Sequence, residues 1–220
     1  VLHPYNRISE VQRKFMTTVH SKNVFNIAID GNFDDCQQMV KSMFSDKSFS
    51  NAINMSGVNS INWSRIIFQT VYYFFSYFKF AKKKEKINFS VPTGNFGDIY
   101  AGYIAKKMGL PIDKLIIATN KNDILQRVVT NGVYSPAKVE CTISPSMDIQ
   151  VASNFERLVF DVCLCDSNKT IKYMSELDKK LKFKLDQNEL KRIQDHFLSA
   201  SLSEEETKSI IRETYNNYKI

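Results

Sequence analysis

Residues 90–98 read S-V-P-T-G-N-F-G-D and join a predicted strand to a predicted helix through two glycines, Gly94 and Gly97. The run Ile87–Val91 is typical of a buried strand, and Phe96–Met108 favours a helix. Such a turn can direct consecutive backbone N–H groups at one point in front of a helix N-terminus, where they can hold a phosphate. Glycine permits both close approach of a ligand and positive φ values. The spacing indicates an anion-binding loop, and it is also compatible with a plain connection.

The segments around this loop alternate between strand and helix patterns. Asn23–Ile29 reads as a strand closed by a turn, and Phe33–Phe44 carries apolar residues at three- and four-residue spacing, as on one stripe of a helix. A long helix is predicted from about Asn62 to Lys83, and a further strand at Leu115–Ala118. This alternation predicts an α/β fold in which a parallel sheet is covered by helices.

The pattern changes from Asn154 onward to successive helices with Lys- and Glu-rich faces. We find no strand pattern between Ser167 and Tyr218. We therefore predict two regions: an α/β core over residues 1–150 and a helical extension over residues 151–220.

The chain has 220 residues and a formal net charge of +7. Much of the excess lies in short lysine runs, at 82–84 and 179–184, without an arginine–aromatic recognition pattern. Such runs are typical of solvated helix faces, and we do not expect nucleic acid as a partner. The excess of basic over acidic residues still favours the binding of phosphorylated, anionic small molecules.

The cysteines and the apolar runs argue against a disulfide-rich, a metal-binding and a membrane-spanning protein. Four scattered cysteines and three histidines favour neither a disulfide framework nor a metal site, and indicate free thiols in a reducing, cytoplasmic compartment. The most apolar run, Ile66–Phe80, is interrupted by polar residues and falls short of the ~20 residues that span a bilayer. We interpret it as a buried helix whose aromatic side chains pack in the core, and we expect no membrane partner.

A second motif precedes that long helix. Residues 57–65 read G-V-N-S-I-N-W-S-R, in which Asn59, Ser60 or Asn62 can each serve as the helix N-cap. Arg65 then lies within about one turn of the helix start, where a guanidinium and unpaired N–H donors can share an anionic ligand. The alternative is that Arg65 is a surface residue and the capping residues serve only the helix.

Three segments together resemble the threonine synthase family, in the order found there. They are D-G-N-F-D-D-C-Q at 30–37, V-N-S-I-N-W-S-R-I at 58–66 and V-P-T-G-N-F-G-D at 91–98. The shorter matches G-L-P at 109–111 and A-T-N-K-N-D at 118–123 follow. The resemblance covers about residues 1–155.

The resemblance implies a fold type II pyridoxal-phosphate (PLP) enzyme, a carbon–oxygen lyase that converts O-phospho-L-homoserine and water to L-threonine and phosphate. By the same resemblance, the cofactor phosphate is assigned to Gly94, Asn95, Phe96 and Gly97, and the phosphorylated amino-acid substrate to Asn59, Ser60, Arg65 and Asp98. A carboxylate in the first helical turn competes with a bound anion, so we expect Asp98 to point away from the cofactor, towards a backbone amide or the substrate.

Two segments of the family do not match. The F-K-D segment with the Schiff-base lysine would lie upstream of Val1, and the D-P-H-T-A-V-G segment would follow Ile220. We therefore expect an internal fragment that holds no catalytic residue and is inactive by itself. A phospholyase that releases phosphate and a keto acid, and a non-catalytic scaffold or sensor of the same fold, are the alternatives.

Overall fold

A computed structural model describes residues 1–57, 61–82 and 84–219. The chain divides into two compact units, Val1–Gly57 and Val58–Ile220. The elements of the first unit are β1 (Leu2–Pro4), α1 (Glu10–Thr17), β2 (Ile27–Ile29), α2 (Phe33–Ser45) and α3 (Lys47–Ala52). Its two strands pair in parallel.

Helix α2 begins with a reciprocal cap. The Asn32 side chain accepts hydrogen bonds from the N–H groups of Asp34, at 2.7 Å, and Asp35, at 3.1 Å. The Asp35 carboxylate in turn accepts from the Asn32 N–H at 2.7 Å. This capping box satisfies orphan donors of the first turn. Part of the motif at residues 30–37 therefore serves to start a helix.

The predictions for this unit are confirmed in outline. Helix α2 spans Phe33–Ser45, against the predicted Phe33–Phe44, whereas the strand is confined to Ile27–Ile29. The apolar stripe of α2 is only partly buried, since Cys36 is enclosed but Met39 is 45% exposed.

The second unit contains a parallel sheet with the strands in the order Ile87–Pro92, Ile112–Thr119 and Phe197–Ser201, and an antiparallel pair, Val133–Tyr134 with Phe183–Lys184. Its elements are α4 (Trp63–Phe80), β3 (Ile87–Pro92), α5 (Gly97–Lys107), β4 (Ile112–Thr119), α6 (Ile124–Asn131), β5 (Val133–Tyr134), a short 3-10 helix (Pro145–Met147), α7 (Phe155–Val162), α8 (Ser167–Lys180), β6 (Phe183–Lys184), α9 (Gln187–His196), β7 (Phe197–Ser201) and α10 (Glu204–Tyr218). The predicted fold class, a parallel sheet covered by helices, is confirmed.

The expectation of an unbroken helical pattern between residues 167 and 218 is wrong. Strand β7 lies in that interval and pairs in parallel with β4, from Leu115 opposite Phe197 to Thr119 opposite Ser201. Its sequence, F-L-S-A-S, lacks the β-branched residues that favour strands, so tertiary pairing decides its conformation. The central sheet therefore draws on both predicted regions, and the boundary between residues 1–150 and 151–220 stays a prediction.

Helix α4 has one buried face. Asn62 is its N-cap and accepts a hydrogen bond from the Ser64 N–H at 2.9 Å. Tyr73 and Tyr77 are buried, as predicted. The prediction of core packing is wrong for other aromatic residues of this helix, which are largely exposed: Tyr72, Phe75 and Phe78. A helix turns through 100° per residue, so consecutive aromatic residues cannot all face one core.

Helices α4 and α5 approach closely at Gly102. A Cβ atom at this position would lie 2.5 Å from Tyr73 Cε1, a distance that real contacts do not reach. The Tyr73 hydroxyl donates to the Asp98 carbonyl oxygen at 2.9 Å, which holds the ring in place. Glycine at position 102 therefore allows α4 to pack closely against the middle of α5.

A buried carboxylate ties the helices of residues 155–196 together. Glu189 of α9 is fully enclosed and accepts hydrogen bonds from the Tyr173 hydroxyl at 2.7 Å and the Asp186 N–H at 2.8 Å. Cys163 Sγ lies 3.2 Å and Lys169 Nζ 2.6 Å from its other oxygen. Burial alone would raise the pKa of this carboxyl, but these hydrogen bonds and the lysine outweigh burial and lower it.

Replacement of this carboxylate tests its contribution to folding. We expect Glu189→Gln to lower the free energy of unfolding at pH 7 by about 1–3 kcal/mol, because buried polar partners lose an ionised acceptor. The lowered pKa means that the stabilisation is present above the unfolded-state pKa of about 4.3 and is lost as pH falls through the folded-state value. The difference between the two proteins in urea unfolding should therefore shrink below pH 4 or so.

The matched control for this prediction is Glu176→Gln on α8. In the part of the chain that the structure describes, the partly buried Glu176 forms one ion pair, with the exposed Lys180 at 3.7 Å, so its loss should change stability by less than about 0.5 kcal/mol. Equal effects of the two substitutions, or no pH dependence for Glu189→Gln, would contradict the assignment.

Candidate anion-binding site

A cavity of about 160 Å³ opens where β3 ends and α5 begins. Two residues of α4 and the connection between β3 and α5 line it: Arg65, Gln69 and residues 92–99. The carboxyl ends of parallel strands are the usual ligand sites of α/β sheets. The anion-binding loop predicted from the glycine spacing lies at this edge.

Phe96 fixes the shape of the loop. Its backbone is left-handed, with φ 65°, although it is not glycine, a conformation that costs about 1–3 kcal/mol. Its side chain is 1% exposed and packs against the rings of Phe155, at a centroid distance of 5.3 Å, and Phe197, at 5.7 Å. Burial of the ring offsets the strain. A role of Phe96 in ligand binding therefore falls to its backbone.

The loop presents backbone donors to the cavity. Helix α5 starts at Gly97, and the first N–H groups of a helix have no partner within it. Among the described residues, no acceptor takes a hydrogen bond from the N–H of Gly94, Phe96 or Gly97. Together with the positive end of the helix dipole, these donors favour a bound anion.

A side chain at position 94 would be in tight contact with its neighbours. A Cβ atom on Gly94 would lie 3.0 Å from Ile149 Cδ1 and 3.2 Å from the Ser146 carbonyl oxygen. The segment that contains these atoms is anchored through Asp148, whose carboxylate accepts from Asn120 Nδ2 at 2.8 Å and from the Thr142 hydroxyl at 2.7 Å. The loop is therefore packed against a fixed support on the side away from solvent.

The wall opposite the loop comes from α4. Arg65 and Gln69 are four residues apart on this helix, so they project from the same face. Arg65 is exposed and brings a cation to the cavity, and its role in anion binding stays a prediction. Gln69 adds an amide that the sequence reasoning missed. The i, i+4 spacing from Arg65 was the available signal for Gln69.

Asp98 lines the cavity and has a side-chain partner rather than the expected backbone amide, while the expected contact with the substrate stays a prediction. One carboxylate oxygen lies 3.1 Å from the Tyr73 hydroxyl, whose single proton is shared with the Asp98 carbonyl oxygen. Partial burial of this carboxyl raises its pKa, against the opposite effect of the Tyr73 hydrogen bond. Tyr73 thus fixes the position of the negative charge at the cavity wall.

Residues after position 150 support the loop from behind. Asn154 is fully buried, and its N–H and Nδ2 groups both donate to the Asn95 carbonyl oxygen, each at 3.1 Å. The Ser153 hydroxyl donates to Asn95 Oδ1 at 3.2 Å. The sequence analysis missed these two residues, because contacts between segments almost 60 residues apart leave no local pattern.

The structure brings most of the predicted site residues together around this cavity. They are Gly94, Asn95, Phe96 and Gly97 of the loop, with Arg65 and Asp98. Asn59 and Ser60 lie outside the described residues. Within residues 1–57, 61–82 and 84–219, no three His, Cys, Asp or Glu side chains are grouped so that they could hold a metal ion. In the same ranges, no helix has the length and apolarity needed to cross a membrane.

The tight support beneath the loop can be tested at Gly94. We expect Gly94→Ala to lower the free energy of unfolding by about 1–3 kcal/mol, because the added methyl group overpacks against Ile149. Urea unfolding of the complete protein encoded by the gene measures this loss. Ile149→Val removes the contacting Cδ1 atom, so the double variant should be more stable than the sum of the single losses predicts. Strict additivity would contradict the steric explanation.

Two relatives of known name match almost the whole length of the chain. No protein-family model matches it. The threonine synthase of Pseudomonas aeruginosa is 45% identical over 217 residues, which cover 99% of this chain and 46% of the relative. The threonine synthase of Saccharomyces cerevisiae is 44% identical over 229 residues, which cover 99% of this chain and 45% of the relative. The chain thus spans less than half the length of these relatives.

Solved structures give the same result. The crystal structure of PLP-bound threonine synthase from Brucella melitensis matches 100% of this chain and 47% of its own, with a TM-score of 0.88 and 45% identity. The yeast threonine synthase structure matches 98% of this chain and 44% of its own, with a TM-score of 0.83 and 44% identity. The resemblance carried by the three sequence segments is confirmed in sequence and in fold, and the chain belongs to the threonine synthase family.

Proposed function

We propose that this chain contributes the phosphate-binding part of a PLP site, and that the complete protein converts O-phospho-L-homoserine and water to L-threonine and phosphate. The observation that carries the proposal is the T-G-N-F-G-D loop, whose backbone donors face a cavity at the start of α5. Membership of the threonine synthase family supports the reaction, and the PLP-bound relative from Brucella melitensis supports the cofactor.

The loop fits the phosphate group of PLP on two observations. Gly94 presents backbone without a side chain, and the N–H groups of Phe96 and Gly97 have no acceptor among the described residues. Gly94, Asn95, Phe96 and Gly97 would hold the phosphate through their backbone, with the helix dipole adding to its affinity. PLP, when bound, supplies an electron sink for the carbanions of the reaction.

The opposite wall suits a second anion, the phosphate of the substrate. Arg65 can bind phosphate through two parallel N–H donors, and Gln69 lies one turn further along the same face. We assign Arg65 and Asp98 to substrate binding, together with Asn59 and Ser60 of the preceding segment. Tyr73 holds the Asp98 carboxyl at the cavity wall, so that its charge is fixed relative to both anions.

We propose that the 220-residue chain is inactive alone, since its lysines do not lie in the F-K-D context of the family's Schiff-base lysine. We also propose a cytoplasmic location, supported by four free cysteines, of which Cys36 and Cys163 are buried.

The competing reaction is elimination of phosphate with release of a keto acid. The decisive assay supplies the complete protein with PLP and O-phospho-L-homoserine and follows phosphate, threonine and 2-oxobutyrate together. We expect equal amounts of phosphate and threonine. Phosphate with 2-oxobutyrate would establish a phospholyase instead, and no turnover would favour a scaffold or sensor. The 220-residue chain in the same assay should give no phosphate.

Substitution of Arg65 tests whether this residue binds the substrate phosphate or the cofactor phosphate. We expect Arg65→Gln to raise the KM for O-phospho-L-homoserine by about 10–100-fold, because a charge-assisted hydrogen bond is worth about 1.5–3 kcal/mol. The affinity for PLP, measured by equilibrium dialysis, should change by less than about threefold. The control Arg212→Gln, on the exposed face of α10, should leave both unchanged. A large loss of PLP affinity with a normal KM would assign Arg65 to the cofactor.

A further inference from the structure

Arg157, in the first turn of α7, holds the start of α4. Its Nη2 donates to the Ile61 carbonyl oxygen at 2.9 Å, just before the helix begins. Its guanidinium carbon lies 5.2 Å from the centroid of the Trp63 ring, within cation–π range. Two different contacts therefore fix the first turn of the helix that carries Arg65.

The same guanidinium also contacts the residue that supports the loop from behind. Its Nε donates to Asn154 Oδ1 at 3.0 Å. The N–H and Nδ2 groups of Asn154 hold the Asn95 carbonyl oxygen in the loop, at 3.1 Å each. A continuous chain of hydrogen bonds thus runs from the loop at Asn95, through Asn154 and Arg157, to Ile61 at the start of α4.

We propose that Arg157 is a positioning residue that sets the separation between the two walls of the anion site. Arg157 is not among the residues that line the cavity, so it acts through Asn154 on the loop and through Ile61 and Trp63 on α4. The inference rests on the proposed function, because the consequence of a changed separation is a changed fit for two phosphates. A misplacement of about 1 Å is enough to lower the rate of an enzyme 100-fold.

The three contacts of Arg157 require the geometry of arginine. One planar group donates through Nε to Asn154 and through Nη2 to Ile61, and the guanidinium lies near the Trp63 ring. A lysine has a single ammonium on a flexible stem and cannot reach both acceptors in this arrangement. Arg157→Lys therefore keeps the positive charge while it breaks the connection between the walls.

The experiment compares Arg157→Lys with Arg192→Lys in the complete protein. Arg192 also donates from a guanidinium to a backbone carbonyl, that of Val162 at 2.7 Å, but at the far end of α7. For Arg157→Lys we expect the dissociation constant of PLP and the KM for O-phospho-L-homoserine each to rise about tenfold. The Arg192→Lys protein should retain wild-type values. The urea midpoints of the two variants should be similar.

A second variant separates positioning from folding. Trp63→Leu removes the ring beneath the guanidinium. The residue is 44% exposed, and leucine keeps an apolar side chain beside Tyr100, whose ring lies 6.3 Å from that of Trp63. We expect this variant to bind PLP about threefold more weakly. The double variant with Arg157→Lys should bind PLP no more weakly than Arg157→Lys alone, because the two residues act through one connection.

The outcomes distinguish this inference from the proposed function. Wild-type PLP affinity and KM in Arg157→Lys, or losses that the Arg192→Lys protein shares equally, would overturn the positioning role and leave the proposed function intact. Failure of the unsubstituted protein to bind PLP would overturn both. Tenfold losses confined to Arg157→Lys, with an unchanged urea midpoint relative to the control, would support the assignment.

Discussion

The left-handed turn at Phe96 is the constraint on which the candidate site depends. The strained backbone directs the aromatic ring inward, against Phe155 and Phe197, and the adjacent N–H groups outward. The ring contacts offset the energetic cost of the left-handed conformation, so the outward N–H groups depend on the buried ring. The loop therefore has its shape only when α7 and β7 are in place. The conformation of this six-residue motif is therefore stabilised by segments that lie about 60 and 100 residues further along the chain.

This dependence explains why residues beyond 150 matter to a site that they do not line. Asn154 and Arg157 hold the loop and α4, while Glu189 holds the helices from which those contacts arise. Burying charged and polar groups is costly unless each is paired, and Asn154, Arg157 and Glu189 all have hydrogen-bond partners. Rigidity near the ligand thus comes from hydrogen bonds made at a distance from it.

The sequence predicted the parts of the molecule that local rules determine. The glycine spacing at 94 and 97, the strand before it and the helix after it were visible as a pattern, and α2 was placed to within one residue. Strand β7 was missed because its pairing with β4 is formed across about 80 residues. Asn154 and Gln69 were missed for a related reason, since an asparagine or glutamine carries no sign of the backbone or cavity that it will meet. The exposed aromatic face of α4 was misjudged because hydrophobicity was counted without its helical period.

The order of the central sheet has a practical consequence. Strands β3 and β7 flank β4, and within the described residues each has one paired side only. The other side of each strand presents its backbone donors and acceptors to whatever lies beside it, and such an edge is a template for strand addition. The 220-residue chain, handled by itself in solution, therefore offers two growth points for β-pairing with its own copies. Its net positive charge opposes such self-association, so the two effects act against each other.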